Sequence, residues 1–280
     1  MPGNRGMERK VMDLEKLAAL SEEFLEGSPN HIDKKQATTP ECIVLRMFDP
    51  PIFGTASAED PLFVRFQDDK VVSREMLLPG DWLPGAKTVI SFFLPASEEV
   101  RKSNRTDFAI PSPQWQHARI EGMVCINELC AFLNEEMHKA GIASVSPSID
   151  PRFRSIKNAE KNEYWSNWSE RHTAYACGLG TFGLSKGIIT EKGMAGRFGS
   201  IITDLELPVT ARTYTGIYDW CNNCGKCAKN CPAGAIDLGT GKHHPPCEAY
   251  LAKTSYGDRY GCGKCQVGVP CESRRPGRKQ

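Results

Sequence analysis

Twelve cysteines occur in this 280-residue chain, and eight of them fall between Cys221 and Cys271. Cys221, Cys224, Cys227 and Cys231, followed by Pro232, are spaced C-x2-C-x2-C-x3-C-P. In that pattern three thiolates hold one [4Fe-4S] cubane and the fourth reaches a neighbouring cluster. The short spacings let three sulfurs converge on one face, Gly225 avoids crowding between them, and Pro232 suits a chain turning away after the last ligand. A second set follows in Cys247, Cys262, Cys265 and Cys271, with another C-x2-C pair in GCGKC. The crossover logic of two-cluster ferredoxins then groups Cys221, Cys224 and Cys227 with Cys271, and Cys231 with Cys247, Cys262 and Cys265. Cys271 departs from the usual spacing, because five residues separate it from Cys265 and Pro270 precedes it. Zinc wants four ligands, usually as two separated pairs, and suits this run poorly. Disulfides are disfavoured in a reducing compartment. The C-x3-C-x2-C spacing of radical-SAM chemistry does not occur in the sequence. Two adjacent cubanes pass electrons singly, so they make a wire and leave open what lies at its end.

The elements that must position this wire are of mixed type. Val11, Leu14, Leu17, Ala18, Phe24 and Leu25 recur at helical spacing before the stop Gly27-Ser28-Pro29. Residues 42–48 (CIVLRMF) and 62–66 (LFVRF) read as strands, and KTVISFFL from Lys87 to Leu94 reads as a buried strand. The polar stretch 101–117 reads as a loop. Ile126, Leu129, Cys130, Leu133 and Met137 mark one face of a helix ending at Gly141. IASVSP and Ser200–Thr203 are strand-like, and ERHTAYAC has a helical pattern. Cys42, Cys125, Cys130 and Cys177 are expected to be buried thiols, with Cys177 next to the glycine-rich stretch. The composition change near Asp219 places a domain boundary at about residue 215, dividing an α/β part, 1–215, from a cysteine-rich part, 216–280.

Charge narrows the partners. Thirty-five Lys and Arg against 34 Asp and Glu give a net charge of +1, which offers no long-range field for nucleic acid or membrane. The apolar runs are too short to span a bilayer, and residues 7–26 are charged throughout, which makes a secretory leader unexpected and points to the cytoplasm.

The segment from Gly178 to Gly199 is glycine-dense. Gly178-Leu179-Gly180-Thr181-Phe182-Gly183 satisfies G-x-G-x-x-G, with Asp204 about 20 residues further on, as in dinucleotide-binding folds. That motif should follow a strand and open a helix, whereas ERHTAYAC precedes it and Gly187, Gly193 and Gly196 interrupt any helix after it. A glycine-rich turn packing core strands is the plainer alternative.

ERHTAYACGLGTFG from Glu170 to Gly183, then ITEKGMAGRFGSIIT and the eight-cysteine module, resembles epoxyqueuosine reductases and their relatives, the reductive dehalogenases. The stretch from Leu83 to Ile90 is also similar. The resemblance implies an α+β fold, with a nitroreductase-like α/β N-terminal domain and a ferredoxin-like C-terminal domain holding two [4Fe-4S] clusters. It implies cobalamin as the cofactor, reduced through the clusters for a reductive elimination, with a flavin as an alternative by fold analogy. Gly178, Gly180, Gly183 and Ser185 would then line the corrin. The family's proton donor precedes the Glu-Arg pair; counting back reaches Tyr164, while the nearest Asp-Pro is at Asp150, and both are candidates. The partners implied are a ferredoxin or flavodoxin as electron donor and a small molecule or modified nucleoside as substrate. Family members normally continue into a helical repeat domain that helps hold tRNA, and no such segment follows Cys271, so tRNA is not expected. The competing class is an electron-transfer or redox-sensing protein with no substrate of its own.

Overall fold

The computed structural model describes residues 12–158, 163–255 and 258–277. Val11 and the end of the basic tail lie outside them. The helices are α1 (Leu14–Glu26), α2 (Pro61–Arg65), α3 (Pro79–Trp82), α4 (Glu98–Ser103), α5 (Pro113–Lys139), α6 (Glu170–Ala176), α7 (Lys226–Lys229) and α8 (His244–Thr254). The strands are β1 (Ile52–Ser57), β2 (Thr88–Pro95), β3 (Ser144–Val145), β4 (Ser155–Asn158), β5 (Glu163–Ser166), β6 (Gly180–Phe182), β7 (Ile188–Thr190), β8 (Gly196–Thr203), β9 (Ile236–Asp237) and β10 (Gly241–Lys242).

β2 is buried along its whole length because it lies inside an antiparallel sheet of order β1-β2-β8-β3 and is covered on both faces. Side chains alternate across a strand. Ile90, Phe92 and Leu94 therefore join α1 and α5 in one core, and Val89 joins Phe63, Trp82, Trp168 and Ala176 in another. α1 begins where Asp13 accepts a hydrogen bond from the Lys16 N–H at 2.8 Å and stops at Gly27. α5 starts earlier than its apolar stripe suggests, because Ser112 caps it and Pro113 opens it.

Three expectations change. LFVRF is helical, since the Asp60 carboxylate accepts from the Leu62 N–H at 3.0 Å and Pro61 occupies the first turn. CIVLRMF forms no extended strand; a 3-10 turn at Pro40–Cys42 leads to single bridges, His31 with Arg46 and Phe48 with Ala96. The stretch 101–117 holds the end of α4 and the start of α5 around a shorter loop.

The cysteine-rich segment is sewn onto this body. Met194 N–H donates to Cys271 O at 2.9 Å and Ala195 N–H to Glu272 O at 3.1 Å, while Phe182 N–H donates to Ile217 O at 2.8 Å. Asn104, which ends α4, donates to Cys262 O at 3.0 Å and accepts from the buried Lys264 ammonium at 2.8 Å. Arg119 on α5 stacks on Tyr260, and Arg259 pairs with Glu121 at 2.6 Å. Gly263 sits against Trp115; a Cβ there would come within 2.0 Å of the indole.

Candidate metal and cofactor site

Cys221, Cys224, Cys227 and Cys271 wall one small cavity. Cys221 and Cys224 come from a loop and Cys227 from the first turn of α7; between them Asn223 (φ 48°) and Gly225 (φ 72°) adopt left-handed backbone and bend the chain so that residues three apart face inward. Cys271 arrives from the far end of the segment. The floor is the β6–β7 hairpin with Ile189 and Met194, and the Cys271 thiol lies 3.3 Å from the Met194 sulfur. Burial pushes the Cys271 thiol up to about 12 and the Cys227 thiol up to about 11, each raised further by neighbouring cysteines. A positive charge placed beside Cys227 and Cys271 would draw off the protons that burial holds on them.

Cys231, Cys247, Cys262 and Cys265 form the second set. Burial raises Cys265, whose neighbouring charges are Lys242, Cys247 and Cys231, and burial lifts Cys262 to about 11 beside Cys265 and Cys247. The charge of Cys265 acts on Cys227 alongside those of Cys221 and Cys224, so the two sets adjoin. Cys231 Sγ accepts the Ala235 N–H at 3.3 Å, the kind of bond that stabilises charge on a cluster ligand. Among the described residues no three His, Cys, Asp or Glu side chains close on a point suited to a single metal ion. The donor set, four thiols around a cavity, fits a multi-iron cubane.

A larger cleft opens beside the second set, between the 69–75 loop, β5, Arg171, Lys186 and the Lys242–Pro245 run. It encloses roughly 760 Å³, within the range of about 300–1,000 Å³ for drug-sized ligand sites. Arg171 lines it, its guanidinium donating to Lys186 O at 2.7 Å, and partial desolvation by the surrounding protein lowers its pKa. Burial would lower Lys242 too, but the adjoining Cys265 and Cys247 outweigh it and raise its pKa. This concentration of cations suits a large ligand bearing phosphate or amide oxygens.

The sequence candidates fall in different places. Tyr164 borders the cleft, half exposed, and its hydroxyl donates to Glu248 at 2.7 Å while Lys157 holds the same carboxylate at 2.5 Å. Asp150 does not border the cleft; Arg152 grips it through Nε and Nη at 2.8 Å each and keeps its pKa low, so it anchors a loop. Gly180 (φ 159°) leaves no room for a flat ligand, since a Cβ would meet Ile189 O at 1.9 Å, and Gly178 faces Thr210 in the same manner. Gly183 and Ser185 border the first thiol cavity instead of a corrin-sized cleft. Cys42, Cys125, Cys130 and Cys177 are buried. Arg171, Lys186 and Lys242 went unassigned in the sequence; the run Lys242-His243-His244, a few residues before Cys247, was the signal for them.

Comparison with known proteins agrees with this geometry. Residues 214–237 match the family described as 4Fe-4S binding domain. An epoxyqueuosine reductase of Bacillus cereus is 25% identical over 204 residues, covering 67% of this chain and 49% of that protein. The chain resembles epoxyqueuosine reductases. It spans about half the length of that curated relative. A structure of epoxyqueuosine reductase with an epoxyqueuosine-modified tRNA-Tyr stem loop superimposes with a TM-score of 0.52 at 17% identity, covering 92% of this chain and 64% of that one. A reductive dehalogenase structure, which suggests a mechanism for B12-dependent dehalogenation, gives 0.52 at 17% identity, covering 93% and 37%. At such identities the two structures speak for the fold of this epoxyqueuosine reductase-like chain: mixed helix and sheet with a 4Fe-4S binding segment towards the C-terminus.

Proposed function

We propose that the chain is an oxidoreductase in which two [4Fe-4S] clusters deliver electrons to cobalamin for a reductive elimination. The observation that carries this is the sorting of eight cysteines into two adjoining sets, Cys221, Cys224, Cys227 and Cys271 beside Cys231, Cys247, Cys262 and Cys265, with a cation-lined cleft next to the second. The working division is 1–215 for cofactor and substrate and 216–280 for the clusters. The large cleft favours an enzyme over a bare electron carrier. Bound cobalamin supplies a metal centre that takes electrons singly and can cleave a carbon–heteroatom bond. Arg171, Lys186 and Lys242 hold its oxygen-bearing groups or those of the substrate. Tyr164 is the proton donor at the cleft edge, with Glu248 orienting the hydroxyl and Lys157 orienting Glu248. Ser185 lies with the first thiol set and stays there in this reading.

The electron donor is a ferredoxin or flavodoxin, and the substrate is a small molecule or a modified nucleoside, by likeness to the relative that carries an epoxyqueuosine-modified stem loop. Among the described residues no helix is long and apolar enough to cross a membrane. The test is anaerobic reconstitution followed by addition of cobalamin, monitored by cobalt EPR. A signal distinct from free cobalamin, lost when Arg171→Ala and Lys242→Ala are combined, supports the reading; an unchanged free-cobalamin spectrum rejects it.

A further inference from the structure

We infer that the face around Cys224 is the docking surface for an acidic one-electron carrier, so that electrons enter at the end of the wire remote from the cleft. This rests on the reading of the two thiol sets as cluster ligands. Cys224 is the exposed member of the eight. It borders a shallow surface depression shared with Arg105, Lys226, Glu272 and Arg274.

Glu272, the acid in that depression, is committed inward. Its side chain is 6% exposed; one oxygen accepts from Arg105, and the other accepts the Gly268 N–H at 2.6 Å. Arg105 and Glu272 cancel, and the charge left facing solvent is positive. Lys226 and Arg274 are exposed, as is Lys229 three positions along α7, and among the described residues none of the three is paired with an acid. An exposed ligand sulfur ringed by cations is complementary to a carrier whose redox centre is ringed by carboxylates, and such complementarity acts chiefly on the rate of encounter.

The order of the parts agrees. Cys224 shares one cavity with Cys271; the charge of Cys265 acts on Cys227 across the two sets; and Lys242, in the lining of the cleft, lies beside Cys247 and Cys265 of the second. The depression and the cleft share no lining residue, so a carrier on the Cys224 face and a substrate in the cleft need not displace each other. In the transfer one electron leaves the carrier's flavin and reduces one cluster by one unit of charge; no bond forms or breaks.

The experiment uses the reconstituted full chain and an acidic flavodoxin. Calorimetric titration gives Kd for the oxidised carrier at low and high salt, and stopped flow gives the rate of cluster reduction by its hydroquinone, with dithionite as a small reductant. The paired reversal Lys226→Glu/Arg274→Glu is expected to weaken binding and slow reduction by flavodoxin at least tenfold, to flatten the salt dependence, and to leave iron content and the dithionite rate unchanged. Lys34→Glu/Lys35→Glu changes net charge equally on another exposed surface and is expected to change Kd less than twofold. Equal loss in both pairs, no loss in the first, or no binding by the unaltered chain overturns the docking surface. A chain that takes up no iron fails at the cluster reading instead, and the iron assay separates the two failures.

Discussion

Glu170 opens α6 with both carboxylate oxygens shut off from water. Burial pushes its pKa up to about 7, only partly offset by Ser200. The folded state therefore holds a proton that the unfolded chain releases above pH 4.5. Stability is full below that pH and falls as pH rises towards 7, by about 3 kcal/mol at 1.36 kcal/mol per pKa unit. Glu170→Gln is expected to recover about that amount above pH 7 and to change little at pH 4, read from denaturant midpoints across pH. Lys264 is the converse case, a cation only 1% exposed between Cys262 and Cys265 and held by the carbonyl and side-chain oxygens of Asn104. Asn104→Ala strands that charge and should cost about 3 kcal/mol, and adding Lys264→Met should restore part of it. At this scale the sequence disclosed the eight cysteines, whose spacing is local. It did not disclose which cations they would lie beside, since Arg171 and Lys242 are 71 residues apart in the chain and meet only through the fold.

The β6–β7 hairpin is both floor of the first thiol cavity and wall of the core. Its glycine requirement has a physical cause: Gly180 lies in a backbone region closed to side chains and packs directly on the Ile189 carbonyl. Gly180→Ala is expected to lose about 3 kcal/mol and to release iron from the first set before the second, seen as a two-step bleaching on warming. The glycines were legible as close approach but not as approach to what; a G-x-G-x-x-G spacing reads the same whether a ligand or a strand lies over it. β2 was legible because Val89 to Leu94, apolar but for Ser91, is rich in β-formers and too short for a helix. LFVRF was not, because its apolar residues suit either period and the deciding group, Asp60, precedes them.

Across the whole molecule the two halves of the cysteine pattern are brought together by contacts with the body. α4 and α5 hold the Cys262–Cys265 turn through Asn104, Trp115, Arg119 and Glu121, and Met194–Ala195, just before β8, holds the Cys271–Glu272 backbone. Tyr164 reaches the second set through Glu248 on α8, and Lys242 reaches it from β10. The crossed assignment has a direct consequence for substitutions. Cys231→Ser and Cys262→Ser should leave the same residual cluster spectrum, and Cys221→Ser and Cys271→Ser should leave the other, as read by EPR of the reduced proteins. Matching spectra from Cys271→Ser and Cys262→Ser would mean that the sets are divided by sequence and not by the fold. Mixed helix and strand and the cysteine pattern were legible in periodicity and spacing, while the fold class came through the family resemblance; the cleft was not legible, because its walls come from segments far apart in the chain.

Iron and acid-labile sulfide, measured per chain in protein purified without air, test the central claim most directly. Two cubanes require about eight of each. A colourless protein with neither, or one whose eight C-terminal cysteines are paired as disulfides, would contradict it.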